Sequence, residues 1–509
     1  MFGGTADNTR YSALRQINAA DVAGLRVAWT RTEGFGQSTW ESFPVVVGTT
    51  MYLTTSTGTV WALNAVTGAL RWSYAPRVDF FPMTSSQSQG SYFPANRGVA
   101  VADGVVYELT FDCRLLALDA ATGRPRWLVQ VADPRQGYYE TTAPIVWNGI
   151  VFAGSSGGDS GVRGFIAAYD ARTGRQIWRR YTVPAPGHGW VPATGHHGGG
   201  AVWMPPVIDQ SAGILYAATG NPSPDYDSTR AGAAPDTDGI LALRARTGAP
   251  VWFTSLVSRD VSDHDAASPV VLLRGVRAVG EAGKSGLFYL LDAATGRPLF
   301  RPVRFVTTGS AVLPTLNRGD PSPRTPRGGA TPGSPAAVTC PGELGGSNYS
   351  PLAYDPGTHA VYVSGIDYCG EYHPGSPAEA ATHQAGVPDL GGSVQPAQAS
   401  ASGTFTAIDV TTGRVRWQRA MPAPMLGGAT AAGGLVFAGA VSGVCYAFDA
   451  ATGQIRWQRD LGAGFGSAPV VYAVGGREYL AVVSGGAAIA AINQLGPVGG
   501  HLYVFTVPT

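Results

Sequence analysis

One phrase recurs along the chain and constrains the fold more than any other feature. It reads WALNAVTGALRW ending at Trp72, LALDAATGRPRW at Trp127, AAYDARTGRQIW at Trp178 and LALRARTGAPVW at Trp252. YLLDAATGRPLF at Phe300, TAIDVTTGRVRW at Trp417 and YAFDAATGQIRW at Trp457 complete seven intact copies. Each reads as a strand, a tight turn and a second strand. Apolar and polar residues alternate before the Asp, the Asp side chain can accept turn N–H groups, and the Gly supplies a positive φ. The Trp falls at a fixed offset on the outgoing strand, where it can pack between neighbouring sheets. These residues are read as structural, so none is a candidate for chemistry.

The turn-initiating positions, 64, 119, 170, 244, 292, 409 and 449, lie mostly near the spacing of ~40 to 50 residues expected of a four-stranded blade. The gap of 117 residues between 292 and 409 holds one further strand-rich stretch, YSPLAYDPGTHAVYVSG from Tyr349. It also holds two Pro/Gly/Ser-rich tracts, at about 306–346 and 373–402, and is read as one blade with long loop insertions. HLYVF at 501–505 resembles an inner repeat strand and LRVAW at 25–29 an outer one, so the termini supply an eighth blade. The expected fold is all-β, an eight-bladed β-propeller in one domain over 1–509, closed by its N- and C-terminal strands. Closure removes exposed sheet edges. Composition agrees: Gly at 70 and Pro at 37 make about a fifth of the 509 residues, and charged residues only 14%, so turns are many and helices few.

The net charge of +1 gives no long-range field to attract nucleic acid or an anionic membrane. No apolar run reaches the ~18 residues that span a bilayer. The start, Met1 to Arg10, lacks a signal-peptide layout and reads as a mature domain whose leader is absent. The four cysteines, at 113, 340, 369 and 445, form no Cys-x-x-Cys or Cys-x-x-Cys-His, which argues against a zinc ribbon and a covalently attached c-type haem. Any electron acceptor is then a separate molecule. Cys340 and Cys369 flank one candidate strand pair and are expected to be bridged, as suits an oxidising compartment; four free buried thiols are the alternative.

A propeller alone does not name a function. The stretch NTRYSALRQINAADVAGLRVAW from Asn8 to Trp29 and the stretch GREYLAVVSGG from Gly476 to Gly486 resemble segments of the quinoprotein alcohol dehydrogenases, and the resemblance spans nearly the whole chain. It implies pyrroloquinoline quinone (PQQ) and one metal ion at the ring centre. Glu41 in WESFP, Arg97 in NRGVA, Thr141 in ETTAP, Ser156, Gly157 and Gly158 in GSSGGDSG, and Asn348 match cofactor contacts. Arg suits a tricarboxylate ligand, and the glycines would let the backbone approach it closely. Trp203 in GGGAVWMPP matches the tryptophan on which the quinone stacks. Lys284 in AGKSG, the only Lys in the chain, matches the basic residue near the quinone oxygens.

For the metal, the resemblance implies Asp159, Asn221 and Asp263, with Asp263 also the catalytic base. Asp265 matches an additional ligand of lanthanide-using members. Oxygen donors suit a hard cation, calcium first and a lanthanide as the alternative. Such an enzyme would oxidise an alcohol to an aldehyde or ketone and pass electrons to a separate carrier such as a cytochrome c, in the periplasm or outside the cell.

Three departures stand out. The family usually has Glu where Asp159 stands. Ser91 and Tyr92 occupy the place of two adjacent bonded cysteines, leaving Tyr92 or Phe93 to cover the second quinone face. Arg259, Asp260, Val261 and Ser262 replace a motif whose Trp is lost, which is expected to open space beside Asp263, and Tyr349 stands where a Trp is frequent. The competing reading is a cofactor-free scaffold of the same repeat family that binds other proteins; it gives no reason for these residues to stand in matching phrases.

Overall fold

The structure, a computed structural model, describes all residues except 1, 33–38, 80–93, 186–197, 227–235, 258–259, 309–335, 375–389, 399, 488–494 and 509. Among the described residues, eight sheets each contribute four antiparallel blade strands in meander order. The first blade runs Val45–Val47, Thr50–Thr54, Val60–Asn64 and Leu70–Tyr74. Six more follow over 100–130, 145–181, 207–255, 271–304, 353–421 and 429–460. The last combines Val470–Val474, Arg477–Ser484 and His501–Thr506 with Arg26–Arg31, which pairs antiparallel with His501–Thr506 and closes the ring.

The repeat acts at the junctions between blades. In the turn at Asp170 the carboxylate Oδ1 accepts from the Arg172 and Thr173 amides and the Thr173 hydroxyl. The outgoing Trp then reaches the following blade: the indole N–H of Trp72 donates to Ala120 O, that of Trp127 to Ala171 O and that of Trp178 to Ala245 O. Its ring lies against the turn glycine of that blade. Gly174 has φ +72, and a Cβ there would sit 2.8 Å from Trp127 Cε3, so the glycine serves both the turn and the contact. The junction between the seventh and eighth blades departs from this pattern. Trp457 meets Phe505 edge-on at 5.7 Å, because the chain termini leave no repeat turn there.

Parts of the two tracts read as loops are ordered. Ala337–Thr339, Gly370–Pro374 and Gly392–Pro396 form a three-stranded sheet, and Cys340 is disulfide-bonded to Cys369 beside it. Cys113 and Cys445 are free and buried.

The N-terminal segment runs along the first strands of four consecutive blades. The carbonyls of Ala6, Asp7, Thr9 and Arg10 accept from the amides of Ile208, Leu272, Tyr354 and Ala431, each on the first strand of a different blade. Tyr11–Ser12 adds a parallel strand to the seventh blade.

Candidate functional site

The segments leading into the first strands converge on the axis, where a ring assembles residues remote in sequence. Every residue singled out for cofactor, metal or catalysis lines one cavity of about 210 Å³. Ser91, Tyr92, Phe93 and Arg259 lie outside the described residues.

At one end Arg97 is anchored to its surroundings. Its guanidinium pairs with Glu41 at 2.8 Å and donates to Thr141 Oγ1 at 2.5 Å, and Thr141 lies 3.1 Å from Ser156 Oγ. The same guanidinium sits over the rings of Trp203 and Tyr349, 5.0 and 4.6 Å from their centroids. Phe111 and Tyr139 stack at 5.0 Å in the same wall. Flat aromatic faces beside an aimed guanidinium suit a planar ligand bearing carboxylates. Asn348 is tied back to the chain at both ends of its amide, by Leu344 O and the Tyr349 N–H. At Gly157, with φ +94, a Cβ would lie 2.3 Å from Gly137 O, so the glycine is required by the chain's own backbone as well as lining the cavity.

The other end is crowded with acids. Asp263 sits in a turn held by Asp260, whose two oxygens accept from the Ser262 and His264 amides. Its own φ is +58, a left-handed conformation uncommon for a non-glycine residue. The buried Lys284 ammonium bridges Asp263 Oδ1 at 2.6 Å and Asp265 Oδ2 at 3.0 Å. Asp265 Oδ1 accepts the Asn221 amide at 2.5 Å, and the Asn221 side chain donates to Asp225 at 2.7 Å.

Burial pushes Asp263 and Asp225 well above the usual carboxylate range, and neighbouring aspartates add to it; Lys284 opposes both. Burial and Asp265 raise Asp159 to about 6. Burial works against the Lys284 ammonium as well, but Asp263 and Asp265 outweigh it and hold its pKa well above the ordinary value. Four carboxylates thus face one ammonium. The oxygen-only donor set and its surplus negative charge fit a hard multivalent cation. They are not gathered as finished ligands: among the described residues no three acidic, histidine or cysteine side chains converge on a common metal position.

Asp225 was not among the residues read from sequence. It lies four positions after Asn221, outside any repeat, and only the fold brings it against that amide. Next to Asp263, the Tyr372 hydroxyl donates to Ser262 O at 2.9 Å, and Tyr372 meets Tyr226 edge-on at 5.2 Å.

Residues 1–327 match the family described as glucose/ethanol/alcohol dehydrogenase, β-propeller domain, and residues 380–496 match the outer membrane protein assembly factor BamB family. A quinohemoprotein alcohol dehydrogenase of Comamonas testosteroni is 31% identical over 98% of this chain and 74% of its own. A lanthanide-dependent methanol dehydrogenase of Methylacidiphilum fumariolicum (strain SolV) is 30% identical over 98% of this chain and 91% of its own. The solved structure of a europium-containing methanol dehydrogenase superposes with a TM-score of 0.88 at 28% identity, covering 100% of this chain and 97% of that one. BamB of Moraxella catarrhalis reaches a TM-score of 0.54 at 15% identity over 95% of this chain and 99% of that one, a likeness of fold alone.

Proposed function

The chain belongs to the PQQ-dependent quinoprotein alcohol dehydrogenase family and is an oxidoreductase acting on alcohol groups, and from that premise we propose that Asp263 is its catalytic base. The observation that carries this reading is the buried Lys284–Asp263 pair in a cavity whose wall also holds Arg97 and Trp203. When bound, PQQ supplies the carbonyl that accepts hydride and its metal ion the positive charge that keeps Asp263 ionised.

Every other task belongs to the protein. Arg97 and Thr141 bind carboxylate oxygens, and Trp203 offers a stacking face. Lys284 sets the position of Asp263, and an Asp263 oxygen takes the proton from the alcohol hydroxyl as the carbinol carbon is oxidised. Asp159, Asn221, Asp263 and Asp265 would hold the metal. Calcium is the first reading, and the surplus of carboxylates around Asn221 favours a lanthanide as the second.

We propose further that electrons leave to a carrier outside these 509 residues, such as a cytochrome c, since these residues hold no Cys-x-x-Cys-His. A periplasmic or secreted location is supported by the Cys340–Cys369 disulfide. Among the described residues no helix is long and apolar enough to cross a membrane.

The test is reconstitution with PQQ and calcium, in parallel with PQQ and lanthanum, following reduction of an artificial dye with a panel of alcohols. Alcohol-dependent reduction with at least one metal is expected. Failure to bind PQQ with either metal would overturn the reading.

A further inference from the structure

Asp263 lies outside any strand and in a left-handed backbone conformation, φ +58, so its placement depends on what grips the turn. Asp260 ties the turn to itself through the Ser262 and His264 amides. Two further bonds come from outside the turn and land on the residues either side of Asp263. The Tyr372 hydroxyl donates to Ser262 O at 2.9 Å, and the fully buried His264 ring has its Nε2 2.9 Å from Pro341 O. A carbonyl only accepts, so Nε2 carries the ring proton in that bond.

Both partners belong to one arm of the sixth blade. Pro341 follows Cys340, and Tyr372 lies beyond Cys369 in the strand Gly370–Pro374; the Cys340–Cys369 disulfide joins the two limbs. The limbs are also paired as strands, with Ala337 opposite Tyr372 and Thr339 opposite Gly370, and the Gly342 amide donates to Tyr368 O at 2.9 Å. The arm then reaches the other half of the buried pair. The Gly346 amide donates to Lys284 O at 2.8 Å and the Ser347 amide to Gly283 O at 3.2 Å. Gly345 has φ +76, and a Cβ there would sit 2.3 Å from Lys284 Cα, so the arm lies directly on the lysine backbone. The arm is fastened in turn to its own blade, where the Ile366 amide donates to Gly346 O at 2.7 Å.

Asp263 and Lys284 both belong to the fifth blade, one before its first strand, Val271–Leu273, and the other after its second, Ala278–Ala282. A covalently closed element of the next blade therefore grips both the turn that carries the acid and the backbone that carries the ammonium. Holding the two together fixes one relative to the other, at the 2.6 Å of the ion pair. A general base must meet the alcohol proton within ~2.6–3.2 Å, and a misplacement of about 1 Å costs about 10²-fold in rate.

We propose that this disulfide-closed arm positions Asp263 for proton transfer, with Tyr372 and His264 as the positioning residues through which it acts; the inference rests on Asp263 being the base. Both act through the backbone of the turn, Tyr372 at the Ser262 carbonyl and His264 by anchoring its own ring to Pro341.

The test uses protein loaded with PQQ and metal. It reads kcat and KM for an alcohol that is turned over, quinone and metal per chain, and deuterium uptake of the peptide spanning Asp260–Asp265. Tyr372→Phe removes one hydroxyl and is expected to lower kcat about tenfold or more, with KM changed by less than about twofold. Quinone and metal content should stay at the wild-type level, and uptake should rise in that peptide but not in the repeat turns. His264→Leu should give the same signature, and His264→Gln, which keeps an N–H donor for Pro341 O, should recover most of the lost rate. Should His264→Leu yield no folded protein, Tyr372→Phe decides alone. Unchanged kcat in Tyr372→Phe, a loss of kcat matched by lost quinone or metal, or equal losses in His264→Gln and His264→Leu would each overturn the proposal. Asp263→Asn, run in parallel, separates this from the reading beneath it. Retained turnover there removes the base and the arm's role with it, whereas inactivity there with unchanged kcat in Tyr372→Phe removes the arm's role alone.

Discussion

An aspartate in the outer belt and an aspartate on the axis behave in opposite ways. In the turn at Asp119 the carboxylate is held down to about 2, first by Arg126 and Thr122, and every contact that lowers it is local. Asp263 is crowded by Asp265 and Asp159, buried, and pushed up, with one ammonium against several acids. The tryptophans divide likewise: Trp127 spends its indole N–H on Ala171 O and its face on Gly174, whereas Trp203 presents its ring to a cavity. Groups that are satisfied inside the chain build the ring. Groups left in surplus mark where something else binds.

The sharpest way to break this distinction is Asp263→Asn. Turnover in reconstituted protein should fall about 10²- to 10⁴-fold, the contribution of a general base, while the thermal midpoint is unchanged or higher; retained turnover would remove Asp263 as the base. A belt substitution should do the reverse. Trp127→Ala is expected to cost about 3–5 kcal/mol in a urea titration, with activity per folded molecule unaltered, and a loss of chemistry at full stability would contradict the division.

Asp225→Asn probes the boundary between the two classes. It keeps the shape beside Asn221 but removes an acceptor that fixes that amide. Metal affinity should drop by about tenfold or more, read by titration of a luminescent lanthanide, with PQQ binding retained. Unchanged affinity would make Asp225 merely structural.

The smallest effect is acid sensitivity. Asp119 is held at about 2, and so is Asp409, whose slight burial is outweighed by Arg416 and the turn amides. A folded-state pKa below the unfolded value of 3.8 gives stability that is present above that value and is lost as pH falls through about 2. The double variant Asp119→Asn, Asp409→Asn should therefore show a flatter loss of stability between pH 4 and pH 2, measured by thermal midpoint across that range.

The belt was legible because its information is local. Alternation, an Asp cap, a positive-φ glycine and a fixed Trp offset all fall within about a dozen residues, and the ring follows from their repetition. The exception, Trp457 against Phe505, arises where the chain has ends rather than a turn. The axis was legible only through resemblance, since no local pattern says that Arg97, Trp203 and Lys284 meet. Asp225 escaped because its partner is found through a bend after Asn221 and carries no motif. The left-handed backbone at Asp263 is imposed by the Asp260 turn and by packing, and Tyr372 reaches Ser262 from the strand Gly370–Pro374, at the edge of a tract whose composition suggested only loop.

The account rests on one quinone and one metal held at a single axial site, and their stoichiometry tests it most directly. Protein reconstituted with PQQ and metal is gel-filtered, and bound quinone is measured by absorbance after denaturation and metal by elemental analysis. One quinone and one metal per chain are predicted, with quinone retention falling sharply in Arg97→Met. No retained quinone, or retention unaffected by Arg97→Met, would contradict the assignment of the axial pocket.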